Sequence, residues 1–219
     1  MQIKYKEKSI DIIDKKITGI VSNSVSNIIK FNENLGSEVY IISYFNVQNM
    51  NEGIVEDFLN AKKNEDMLSD VLKTLNINSK ILSKNISELS TSEKIKLLIV
   101  NALLKNYEVI YFDNILPCLD SSSRTKLYKL IIKLKKFQNK TILISDINID
   151  NIFEFVDNLI IVSDTIITGN KYDVFPCDII NNPITLTLRD KILENKNIDI
   201  GKVDSVNELI KAIYREIRW

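Results

Sequence analysis

Two runs in this chain leave little choice of fold. Val109-Ile110-Tyr111-Phe112 ends on Asp113, and Ile142-Leu143-Ile144-Ser145 ends on Asp146. Neither run alternates apolar with polar residues, so each reads as a strand covered on both faces. Between them, residues 121–139 (SSSRTKLYKLIIKLKKFQN) have the spacing of an amphipathic helix. Strand, helix and strand in that order predict an α/β fold, a mostly parallel sheet with helices on both faces.

The rest of the chain extends the alternation. Strands are expected over 16–22 and 38–45, with a short helix over 27–36 closed by Gly36 between them. Residues 53–77 space Ile54, Phe58, Ala61, Leu68, Leu72 and Leu75 as two short helices. Residues 87–106 read as a helix whose N-cap is Ser90, and Glu93 three positions on completes a capping box. A helix over 148–156 precedes two strands over 158–170 that turn at Ser163-Asp164. Pro176 and Pro183 mark a break, and residues 205–217 form a terminal amphipathic helix.

Composition excludes several chemistries. There is no histidine, which removes histidine bases, histidine metal ligands and Ser-His triads together. Lys plus Arg and Asp plus Glu both total 29, so no nucleic-acid partner is expected. Cys118 and Cys177 form no spaced pair, which suggests neither a metal site nor a disulfide framework and fits a reducing cytoplasm. No run approaches the roughly 18 apolar residues of a membrane span. The charged N-terminus, MQIKYKEKSIDIIDKK, lacks the apolar core of a signal peptide. Membrane association is therefore expected through a partner.

From Ser87 to Gly169 the chain resembles the ATP-binding subunits of ABC transporters in the order and spacing of its segments. Leu89-Ser90-Thr91-Ser92-Glu93 stands where that family has its LSGGQ signature, and NALLKNYE follows as the family's ALLKNP ending does. Asp113-Asn114 comes 24 positions after Leu89, where the family strand ends in Asp-Glu. DNILPCLD maps without a gap onto the family's DEPTSALD, which sets Asp120 at the D-loop aspartate. The closing NIDIGKVDSVNELIKAIYREI is similar to the tail of the energy-coupling factor branch, which takes up vitamins and metals. The resemblance implies a P-loop NTPase-like ABC ATP-binding fold over 1–175. It further implies a helical subdomain around 49–95, a reduced antiparallel N-terminal sheet and a small C-terminal helical extension over 176–219.

The departures from that family bear on function. A phosphate loop needs glycines to curl its backbone, Lys on the β- and γ-phosphates, and Ser or Thr on magnesium. After the first strand, Ser22 to Phe31 holds no glycine, and Ile28-Ile29 stand where Lys-Ser would fall, with Lys30 beside them. Asn114 replaces the catalytic glutamate and Ile147 the switch histidine, so no catalytic residue is expected. Thr91 and Ser92 replace the two signature glycines, and Gln48 lies about one position from the glutamine that couples to the membrane partner. Ser90, Thr91, Ser92, Glu93, Asp113 and Asp120 are the candidate nucleotide-facing remnants. Each has a plainer reading: Ser90 with Glu93 as a capping box, Asp120 as a helix cap, Asp113 as a turn cap without metal. Tyr5 is a candidate remnant of the adenine-stacking tyrosine.

The expected function is a catalytically degenerate subunit that pairs with a second ATP-binding subunit and a transmembrane subunit on the inner face of the membrane. It would hold no cofactor of its own, with ATP and magnesium at a site shared with the partner. A nucleotide-free interaction module on the same fold is the alternative, and a working ATPase with an unusual phosphate loop is a third.

Overall fold

The computed structural model describes residues 1–216; Ile217, where the last predicted helix was to end, lies outside the described residues with Arg218 and Trp219. In chain order the strands are β1 (Gln2–Tyr5), β2 (Lys8–Asp11), β3 (Ile17–Val21), β4 (Val39–Ser43), β5 (Val109–Asp113), β6 (Thr141–Asp146), β7 (Asn158–Val162) and β8 (Ile166–Asn170). The helices are α1 (Val25–Asn32), α2 (Tyr44–Gln48), α3 (Val55–Phe58), α4 (Glu65–Thr74), α5 (Thr91–Leu104), α6 (Ser121–Gln138), α7 (Ile184–Lys196) and α8 (Val206–Glu216). β1 and β2 form a small antiparallel sheet, and the other six strands form one sheet in the order β4-β5-β6-β3-β7-β8. β3 runs parallel to β7 and β4 parallel to β5, while the edge strand β8 is antiparallel to β7. Every residue of β3 and β6 is buried, as expected of strands apolar throughout. No helix among the described residues is long and apolar enough to cross a membrane.

The chain divides into two compact units. One contains residues 1–12, 16–34 and the chain from Ile144 onward; the other contains 13–15 and 35–143. In the first unit, Gly19 of β3 lets a loop approach closely. A Cβ there would lie 2.8 Å from Ile152 Cδ1 and 2.8 Å from Leu159 Cδ2. Farther along, the buried Lys171 ammonium donates to the carbonyls of Phe153 and Glu154 and pairs with Asp204 at 2.6 Å. Asp204 also accepts from the Tyr172 hydroxyl, whose pKa is raised by burial first and by that carboxylate second. This network fixes the approach to α8, which packs on α7 through Val203, Leu209 and Ala212 with Ile192 and Ile213.

In the second unit, β5 is buried from Val109 to Phe112, and α5 buries Ile95 and every residue from Leu97 to Leu103. Asn101 is buried in that run because its amide donates to the Tyr40 hydroxyl at 3.0 Å. The expected pair of helices over 53–77 forms as α3 and α4, with a 3-10 turn at Ala61–Lys63 between them.

Three local expectations are corrected. Residues 148–156 hold a 3-10 turn at Ile149–Asn151 in place of a helix, because Ile152 and Val156 are drawn against Gly19. Gly36 does not close α1, which ends at Asn32 with Glu33 as its cap. The strand expected to run to Phe45 ends at Ser43, whose side chain turns back as an N-cap and, with Asn46, opens α2 through a capping box.

Candidate functional site

The connection after β3 is short. Ser22, Asn23 and Ser24 alone join it to α1. Ser22 is fully buried, and its hydroxyl is spent inside the fold. It donates to the Val162 carbonyl at 2.6 Å and accepts from Ser24 N–H at 3.2 Å and Asn27 Nδ2 at 3.3 Å. Ser24 occupies the N-cap position of α1 but its side chain makes no cap bond; its hydroxyl meets Ser26 at 2.8 Å. Ile28 is buried in the core, Ile29 is 55% exposed, and Lys30 lies in the last turn of α1. Tyr5 is buried with its ring centroid 5.7 Å from that of Phe31, so it is a core side chain with no free face for a base.

In the same unit Ile147 is 51% exposed at the end of β6. The buried Asp146 before it serves its own turn, accepting from Asn148 N–H at 2.8 Å and Asn151 Nδ2 at 3.0 Å. Asn23 and Ile147 line one polar cleft of about 870 Å³ with Asn148–Asp150 and the segment Pro176–Asn182. That lining contains no Lys or Arg. Sequence reasoning marked 176–183 only as a break; no motif ties it to residues 23 and 147.

The other candidates lie in the second unit and are well ordered by local bonds. Ser90 caps α5 through a complete capping box. Its Oγ accepts from Glu93 N–H at 3.3 Å, and Glu93 Oε2 accepts from Ser90 N–H at 2.9 Å. The Ser90 hydroxyl also donates to Glu93 Oε2 at 2.8 Å; the Ser90 N–H first and this hydroxyl second hold the Glu93 carboxyl below its usual range, and Lys84 adds an ion pair at 3.3 Å. Thr91 and Ser92 form the first turn, half-buried. Asp120 caps α6, accepting from Ser123 N–H at 2.7 Å, and this bond lowers its pKa.

Asp113 ends β5 half-buried and accepts from the Tyr111 hydroxyl at 3.0 Å. Asn114 follows with φ of 45°, in the left-handed region that Asn tolerates better than most residues. Gln48 is the exposed last residue of α2, which also presents Phe45 at 75% exposure. The caps at Ser90 and Asp120 match the plainer reading given to each of these residues.

The mostly parallel six-stranded sheet and its helices have counterparts among known proteins. No protein-family model matches the chain. The zinc import ATP-binding protein ZnuC of Ehrlichia chaffeensis is 33% identical over 135 residues, 59% of this chain and 54% of that protein. The energy-coupling factor transporter ATP-binding protein EcfA1 of Fusobacterium nucleatum is 30% identical over 132 residues, 59% of this chain and 49% of that protein. The chain thus spans about half the length of the curated relatives it matches.

Among solved structures, cbiO1 from Clostridium perfringens, part of the ABC transporter complex cbiONQ, superposes with TM-score 0.63 and 18% identity over 89% of this chain and 92% of that one. MJ1267, an ATP-binding cassette of an ABC transporter in its ADP conformation, gives TM-score 0.62 and 15% identity, over 80% of this chain and 93% of that one. The fold is therefore the ABC ATP-binding fold, and the chain's homologues are ABC ATP-binding subunits.

Proposed function

We propose that the chain is a catalytically degenerate ABC ATP-binding subunit. It pairs with a second, intact ATP-binding subunit and supports a membrane transporter for micronutrient uptake. Its relatives are named for zinc import and for energy-coupling factor transport, which supports the uptake reading. Domain 1–175 would carry the cassette, with its helical subdomain around 49–95, and 176–219 would form an appended helical extension. The protein would lie on the cytoplasmic face of the membrane, held by its partners, with Gln48 and α2 toward the transmembrane subunit.

The observation that carries the reading is the connection Ser22-Asn23-Ser24. A triphosphate needs a loop long enough to wrap it, with N–H groups turned inward and a cation on the β- and γ-phosphates. Three residues reach at most about 11 Å when extended. This loop has no glycine, and its buried hydroxyl is already bonded to Val162. Residues 22–31 thus do not fit ATP and magnesium, and no catalytic step is assigned to them.

The remnants act on the partner's nucleotide. Ser90 stands at a helix N-terminus, where N–H groups and the dipole favour an anion, and Asp120 stands at the family's D-loop position. The test is ATP turnover by the reconstituted complex. Ser90→Ala and Asp120→Ala are expected to cut turnover strongly in complexes that assemble normally. A second reading, a nucleotide-free interaction module, draws on the completeness of both caps, since Ser90 and Asp120 already have structural employment. Unchanged turnover in both variants would favour that module.

A further inference from the structure

Helix α7 starts without a cap of its own. Pro183 holds its N-cap position, and a proline ring has no group that accepts a hydrogen bond. The first N–H of the helix, that of Ile184, donates instead to the Asp150 carboxylate at 2.8 Å, 34 positions back in the chain. Asp150 sits in the 3-10 turn Ile149–Asn151, just after the end of β6 and the exposed Ile147. A carboxylate there also suits the positive end of the helix dipole. The cap of α7 is thus supplied by a distant turn, the one that follows the strand of Asp146.

Little else holds that end of α7. Thr185 and Leu186 are its buried residues, while Ile184, Leu188 and Leu193 are exposed. Thr185 buries its hydroxyl with no hydrogen-bond partner among the described residues, which is a cost of the docked position. The far end of the segment is secured differently. Asp204, before α8, pairs with the buried Lys171 ammonium at 2.6 Å and accepts from the Tyr172 hydroxyl. Breaking a pair to a buried charge costs more than breaking one exposed hydrogen bond, so the Asp150 tie is the one that opens first. The segment Pro176–Asn182, a wall of the polar cleft that Asn23 and Ile147 also line, runs directly into this tie.

We propose that the bond from Ile184 N–H to Asp150 is a latch. It joins the turn after β6 to the strap 176–183 and to α7, so a contact that moves the turn frees the strap and the start of α7. Helix α8 stays anchored through Asp204. The latch does not rest on the nucleotide reading, because neither of its residues is among the candidate remnants.

The test is hydrogen exchange of the purified full chain, read on peptides covering 147–156, 176–190 and 203–216. Asp150→Ala removes the acceptor. Ile184→Pro removes the donor at a first helical position, which tolerates proline, and its side chain is already 50% exposed. Each variant is expected to speed exchange about tenfold, the order of one lost hydrogen bond, in both 147–156 and 176–190. Both substitutions together should do no more than either alone, because they break the same bond. Exchange in 203–216 should keep its wild-type rate. Asp178→Ala, which removes the other carboxylate of the cleft lining, should leave all three peptides unchanged. Exchange that rises on one side of the bond only, or equally through 203–216, overturns the latch. So do effects that add in the double variant, an equal effect of Asp178→Ala, or no change at all.

Discussion

The connection from β3 to α1 and the N-termini of α5 and α6 present the same element, a helix start after extended chain, in opposite states. At α1 the N-cap side chain of Ser24 makes no cap bond, and the buried hydroxyl of Ser22 is turned inward. At α5 and α6 the caps are complete: Ser90 with Glu93 reciprocally, and Asp120 on Ser123 N–H. The first region has neither a glycine nor a cap bond. The second keeps both geometry and charge. That contrast is what a subunit would show if its own nucleotide site had decayed while its surface toward a partner's site stayed in use.

The largest expected effect lies in the complex. Ser90→Ala should lower turnover by about 10²-fold, the usual cost of one donor at a developing charge, and Asp120→Ala should lower it as well. Ser24→Ala should leave turnover within twofold. Steady-state ATPase of the three variant complexes checks this, and equal rates would erase the contrast.

A smaller effect comes from the strand end. Asn114→Glu should not create turnover, because a base is useless where phosphates are not held in line. The φ of 45° makes the same substitution destabilising by about 1 kcal/mol, whereas Asn114→Gly should not be. Urea unfolding of both variants gives the comparison, and turnover by the glutamate variant would mean that a phosphate site exists at residues 22–31.

The caps should also differ in stability alone. Ser90→Ala is expected to cost about 1 kcal/mol, and Ser24→Ala no more than about 0.5 kcal/mol, by thermal or urea melts of the purified chain. The Ser90 effect should carry a pH signature. Glu93 is held below its ordinary pKa by Ser90, so its contribution is full above the unfolded value and lost as pH falls through the folded one. The Ser90→Ala penalty should therefore shrink on acidification below the usual glutamate range, while the Ser24→Ala value stays flat.

Much of this contrast is legible in the sequence because caps are local. Ser90 and Glu93 lie three residues apart, and Asp120 stands directly before three serines. The apolar runs at 109–112 and 142–145 likewise announce buried strands without help from distant residues. What fails is what depends on distant contacts. Residues 148–156 have helical spacing, yet Ile152 and Val156 are claimed by Gly19 more than 130 positions away. The missing glycines after β3 can be read directly, but the brevity of the connection cannot, because α1 begins at Val25, before the apolar pair that suggested a later start. The cleft joining Asn23, Ile147 and Pro176–Asn182 is invisible in sequence, since its three parts share no motif.

The central claim is that residues 22–31 no longer hold a triphosphate. Calorimetric titration of the purified chain with magnesium ATP tests it most directly. The account predicts no heat of binding at millimolar nucleotide, and the same flat trace for Asp113→Ala. Saturable binding in the micromolar range that disappears in Asp113→Ala would contradict it.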